Sequence, residues 1–133
     1  MRLVIDTNKL FSFFWKGSLI KKLLFTGHEL FSPKFALEEL EKHKSEIMEK
    51  TGLTSKEFLE FKDKLKNVVE FAPFSEYSGK ISEAFNLLPE HPKDIDFLAL
   101  ALKLNAGIIS NDKELKRQSR ISVFNDSELS KLI

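Results

Sequence analysis

The chain has no cysteine, which excludes a disulfide framework and any thiolate zinc site. It has no run approaching the roughly 20 consecutive apolar residues that a membrane-spanning helix needs. The opening Leu3-Val4-Ile5 is too short for the apolar stretch of a signal peptide and is cut off by Asp6. A cytoplasmic location and no membrane partner are therefore expected. A dominant charge is lacking too. Against 20 acidic residues stand 21 basic ones, for a net +1, so any nucleic-acid reading has to rest on where cations cluster. The three histidines, His28, His43 and His91, lie in turns or charged helices with no partner at ligand or triad spacing. None is expected to be catalytic.

Phenylalanine is what the chain has in excess: 13, beside a single Tyr and a single Trp. A Phe-rich interior is the plain reading, and 133 residues suffice for one domain, 1–133, with a core of its own. Short apolar runs alternate with longer helical patterns. Leu3–Ile5, Glu29–Phe31, Val68–Phe71, Gly107–Ser110 and Ile121–Phe124 read as strands, the first buried on both faces because it does not alternate. Between them, Leu10–Trp15 and Ser18–Phe25 read as one or two helices punctuated by Gly17. A charged-faced helix begins at Pro33 and runs past Ile47. Thr54 and Glu57 form a capping-box pattern for the next. Tyr77–Leu88, Asp94–Leu104, Asp112–Ser119 and a final segment capped near Asp126 complete the set. Alternation of this kind predicts an α/β fold: a three-layer α/β/α sandwich around a parallel sheet of about five strands.

In open parallel sheets, sites form at the carboxyl ends of the strands. Asp6 ends the first strand, and Asp112 follows the fourth in the run IISND. Helices begin at the same edge, which brings in Glu38 or Glu39 from ALEELEKHK and Asp94 from PKDIDFLALAL. Four carboxylates in one pocket repel one another, and a divalent cation relieves that repulsion. Oxygen donors suit Mg²⁺ or Mn²⁺, and phosphodiester hydrolysis is the chemistry such an ion serves best. Each acid also has a plain structural reading. Asp94 and Asp112 fit helix caps, and Glu38 and Glu39 fit a solvated helix face. Asp6 is hardest to explain that way, since a carboxylate closing a buried strand is costly unless paired.

Three stretches, VIDTN at 4–8, PKFALEEL at 33–40 and KDIDFLALALKLNAGIISNDKEL at 93–115, resemble the PIN-domain nucleases. That family includes toxins of VapC-type toxin–antitoxin pairs and PilT N-terminus-like ribonucleases. The resemblance spans nearly the whole chain. It implies a PIN-like α/β/α fold and a metal-dependent endoribonuclease that leaves a 3′-hydroxyl and a 5′-phosphate. It makes Asp6, Glu39, Asp94 and Asp112 the catalytic acids, holding one Mg²⁺ or Mn²⁺, or two with RNA bound. Asp96 is a rival ligand to Asp94. Thr7 or Asn8 supports Asp6 by hydrogen bonds, and Ser110 and Asn111 stand where relatives carry a Thr-x-Asp. Glu114 stands where many toxins of the group have a further acid. Lys9, Lys34, Lys93, Lys113, Lys116 and Arg117 flank the motifs and are the candidates for holding the RNA backbone. The aromatic run Phe11, Phe13, Phe14 and Trp15 is expected in the core, with a homodimer face or an antitoxin contact as the alternative.

Two other readings stay open. One is a PIN-like scaffold that binds RNA or protein without cutting it. The other is a receiver-like module whose strand-end aspartate accepts a phosphoryl group, though it would need a strand-end lysine that ISVFND does not supply.

Overall fold

The computed structural model describes residues 1–15, 19–23 and 26–132. The chain opens with β1 (Arg2–Ile5), α1 (Thr7–Phe11) and a 3-10 turn (Ser12–Phe14), then α2 (Leu19–Leu23) and β2 (Glu29–Pro33). Three helices follow, α3 (Lys34–Lys42), α4 (Lys44–Thr51) and α5 (Ser55–Val68), and then β3 (Val69–Ala72). Next come α6 (Phe74–Tyr77), α7 (Ile81–Leu87) and a 3-10 turn (Pro92–Asp94) leading into α8 (Ile95–Leu104). The chain closes with β4 (Gly107–Ile109), a 3-10 turn (Lys113–Arg117), β5 (Val123–Phe124) and α9 (Asp126–Leu129).

Among the described residues the five strands form one parallel sheet in the order β3-β2-β1-β4-β5, flanked by helices. The expected α/β class and sheet are thus present. Leu3, Val4 and Ile5 are all fully buried, which requires cover on both faces, as their unbroken apolar run implied. α8 is buried almost all round, from Ile95 and Phe97 to Leu102, and packs against β1, β2 and β4. It ends at Asn105, whose left-handed φ of 52° stops the helix. Gly107 then lets β4 approach closely: a Cβ there would come within 2.7 Å of the Phe124 ring.

Several boundaries differ from the sequence reading. Pro33 is the last residue of β2 rather than the first of a helix; its ψ of 145° is extended and it caps α3 from outside. The long helix expected to run past Ile47 breaks at His43, whose ψ of 16° lies outside the helical range. Tyr77–Leu88 is interrupted by a 3-10 turn containing Gly79, the residue that least favours helix interiors after proline. Asp112–Ser119 forms only the 3-10 turn, and the fifth strand is two residues long. Val68 stays helical, so β3 follows α5 with no loop. Gly17, Ser18, Leu24 and Phe25, which were to bound the second helix, lie outside the described residues. Of the aromatic run, Phe13 and Phe14 are core residues, with Phe14 stacked on Phe58 at 4.9 Å. Phe11 and Trp15 are half-buried.

Candidate active site

β1 and β4 are neighbours, so the residues just past their ends emerge side by side at the carboxyl edge of the sheet. The Asp6 N–H still donates to the carbonyl of Ile109, at 3.3 Å. One Asp6 oxygen accepts from the Lys9 N–H at 2.9 Å, capping α1. The other accepts from the hydroxyl of buried Ser110. That hydroxyl in turn accepts from the Asp112 N–H at 3.0 Å. One small side chain at the end of β4 therefore fixes both strand-end acids. Asp112 also accepts from the Glu114 N–H at 3.0 Å, so its plain role as a cap is real as well.

Asp94 behaves differently. It precedes α8, but its side chain makes no capping hydrogen bond. It is only 7% exposed, and its Oδ2 has no hydrogen-bond partner among the described residues. Burial, then the charge of nearby Asp112, push its pKa up to about 6. The Asp6 carboxyl is also raised, chiefly by burial; bonds from Ser110 and Lys9 work against the shift and the Asp112 charge adds to it.

These acids line a cleft of about 740 Å³. Asp6, Asp94, Asp96, Asp112 and Glu39 stand on its walls with Thr7, Asn8 and Lys93. Glu38 lines a separate hollow beside Lys34 and Phe74, as expected for neighbours about 100° apart on a helix. Asp96 is held by the buried Tyr77 hydroxyl, which donates to it at 2.6 Å. Glu39 lies 3.7 Å from the His43 ring, whose other nitrogen is 3.2 Å from Glu46. Among the described residues, no three His, Asp or Glu side chains are gathered tightly enough to form a ready-made cage for an ion. Asp112 is instead near enough to feel the charges of both Asp6 and Asp94, and Glu39 lines the same cleft. Their chemistry still fits a hard divalent cation. The donors are all oxygens, and the buried Asp94 oxygen with no hydrogen-bond partner among the described residues is a group that a cation would compensate.

The expected cations divide into two groups. Lys34, Lys93 and Lys113 are exposed and make no ion pair among the described residues. Lys9 bonds Asp126 at 2.5 Å, and Lys116 pairs with Glu128. Arg117 reaches Glu114 at 3.1 Å, and Glu114 also meets His91 at 2.8 Å. Asn111 clasps Asp126 through side chain and backbone, both at 3.0 Å, tying the end of β4 to α9. Sequence reasoning missed Tyr77, Asp126, and His43 as a cleft residue. The one-turn spacing of Glu39 and His43 could have flagged the last. Nothing local connects Tyr77 to Asp96.

The PIN domain sequence model matches residues 4–121. Among solved structures, the chain is similar to one in a crystal structure of VapBC2 from Rickettsia felis bound to a DNA fragment from their promoter. The TM-score is 0.65 at 18% identity, covering 94% of this chain and 98% of that one. At that identity the likeness bears on the fold. No curated protein matches the sequence.

Proposed function

The chain belongs to the PIN-domain family, and from that premise we propose that it is a divalent-metal-dependent endoribonuclease cutting RNA phosphodiester bonds. The observation that carries this reading is the meeting of Asp6, Asp94, Asp112 and Glu39 on one cleft, with a buried Asp94 oxygen left unpaired.

Asp6, Glu39, Asp94 and Asp112 would hold the ion, with Asp96 beside them. Mg²⁺ or Mn²⁺ bound there supplies Lewis-acid polarisation of the scissile phosphate and activation of water. The protein's part is placement. Ser110 orients Asp6 and fixes the backbone of Asp112, and Tyr77 aims Asp96. Thr7 and Asn8 line the cleft at the start of α1, while Lys9 and Ser110 rather than either of them bond the Asp6 carboxylate. Lys93, exposed on the cleft wall, and Lys113 and Lys34 near it are placed to neutralise flanking phosphates. Lys9, Lys116 and Arg117 would first have to exchange their present carboxylate partners for phosphate.

The biological setting we infer is that of a cytoplasmic toxin restrained by an antitoxin protein, on the strength of a fold shared with a chain of a VapBC2 structure. Among the described residues no helix is long and apolar enough to cross a membrane. Phe74 and Phe85, both at least half exposed, offer apolar surface for an antitoxin or a second copy. The rival reading, a PIN fold that binds without cutting, draws on the open spacing of the acids. Incubation of labelled RNA with the protein and Mn²⁺, beside Asp6→Asn, separates the two. Cleavage by the wild type that falls at least 100-fold in the variant is the expected result. Equal cleavage by both convicts a contaminant, and none by either leaves the scaffold.

A further inference from the structure

The hollows around the acids differ in character. The large cleft extends from Asp6 and Asp112 to the α3–α4 junction, where Phe11 and His43 supply rings; Phe35 lines it separately, at the start of α3 about two turns from His43. Phe11 and His43 lie 5.4 Å apart, and Phe35 stands edge-on to Phe97 at 5.5 Å. Phe11, Phe35 and His43 are all half-buried. Two smaller hollows, of about 330 and 420 Å³, adjoin the cleft at Asp112, the larger of them sharing Asp6, Asn8 and Lys93 with it as well. They hold Lys9, Lys93, Lys113 and Lys116 and no aromatic ring.

Charge sorts them further. Glu39 and Glu46 stand in the aromatic arm, and Lys93 is the sole Lys or Arg among its lining residues. A phosphate entering there meets like charge, whereas a neutral, flat nucleobase meets the Phe11 and His43 rings. In the other arm Lys93 and Lys113 are free to meet the phosphate backbone, Lys9 and Lys116 can join them by leaving Asp126 and Glu128, and no lining residue offers a stacking surface. We propose that the aromatic arm is a stacking subsite for one nucleobase turned out of a single strand, and that the strand leaves past Asp112 along the lysine arm. The cleavage site thus gains a polarity: a base held on one side of the scissile phosphate, backbone alone on the other. A base inside a duplex cannot present its face to the rings, so paired RNA is excluded.

This rests on nucleic acid being the ligand of the proposed active site, and it is tested by binding rather than cutting. Single abasic positions are scanned along a short labelled RNA, and affinity is read by fluorescence anisotropy in EDTA at low salt. The expected pattern is a loss of about tenfold at one position, the contribution of a single stacked base, with little change elsewhere. Phe11→Leu, which keeps apolar bulk but removes the ring, should weaken the intact RNA by a similar factor and flatten the scan. Lys113→Ala should weaken every RNA alike and lower the salt slope by about one. A flat scan in the wild type, a sensitive position that survives Phe11→Leu, or no RNA binding at all overturns the proposal. A flat scan from a protein that cuts RNA sinks the subsite alone; a position-dependent scan without cleavage sinks the catalytic reading and leaves the subsite.

Discussion

Asp94 sits where a helix cap belongs and does not cap. Its carboxylate is buried, partly unpaired and close to Asp112, and its pKa stands at about 6. The value in an unfolded chain is about 3.9, so between those two pH values the native state holds more protons than the unfolded one. The metal-free protein therefore loses stability as pH rises through that window and carries the full penalty above it. Asp94→Asn removes the charge and can donate to Asp112. At pH 8 it should be more stable than the wild type by roughly 1 kcal/mol, a figure already reduced for solvent screening. The advantage should vanish near pH 4. Thermal melts of both proteins without metal check this, and a less stable variant at pH 8 would contradict it. RNA cleavage should be lost in the same variant, which sets stability against function at a single carboxylate.

Among the elements, α5 shows what local sequence dictates unaided. Thr54 accepts from the Glu57 N–H at 3.1 Å, and Glu57 returns a bond to the Thr54 N–H at 3.0 Å. The residues that pair are three apart, so the motif is legible in the sequence. The helix lies away from the acid cleft. Thr54→Ala should cost about 1 kcal/mol of stability and leave the rate of RNA cleavage at saturating metal unchanged. Urea melts with parallel cleavage assays measure both, and a fall in rate beyond the loss of folded protein would place α5 in the site after all. The break at His43 was not legible. α3 and α4 are locally one helical pattern, and besides its neighbours Glu39 and Glu46 the ring of His43 meets Phe11, on an element far away in sequence. Tyr77 likewise reaches Asp96 across a gap that no periodicity links.

At the scale of the whole molecule, acids from four distant segments meet because β1 and β4 lie side by side and α3 and α8 start at the same edge. The candidate ion would bind the folded chain and not the unfolded one, where those segments are apart. Mn²⁺ should therefore raise the melting temperature in step with its concentration, adding about 2.7 kcal/mol at one hundred times its dissociation constant. Asp6→Asn should blunt the rise. A melting temperature indifferent to Mn²⁺ and Mg²⁺ would remove the cation from this site.

The sequence by itself determined the alternation of strands and helices, the burial of Leu3–Ile5 in β1, the acids at the strand ends and the capping of α5. Each of these is written in neighbours a few residues apart, through apolar period, turn residues and short-range hydrogen bonds. Only the tertiary structure decided that Ser110 holds two acids at once, that Asp94 is left uncapped beside Asp112, that Glu39 rather than Glu38 faces the cleft, and that Lys9 is drawn to Asp126. Those outcomes depend on strand order and on charges and bonds between residues far apart in the chain, where local pattern carries no information.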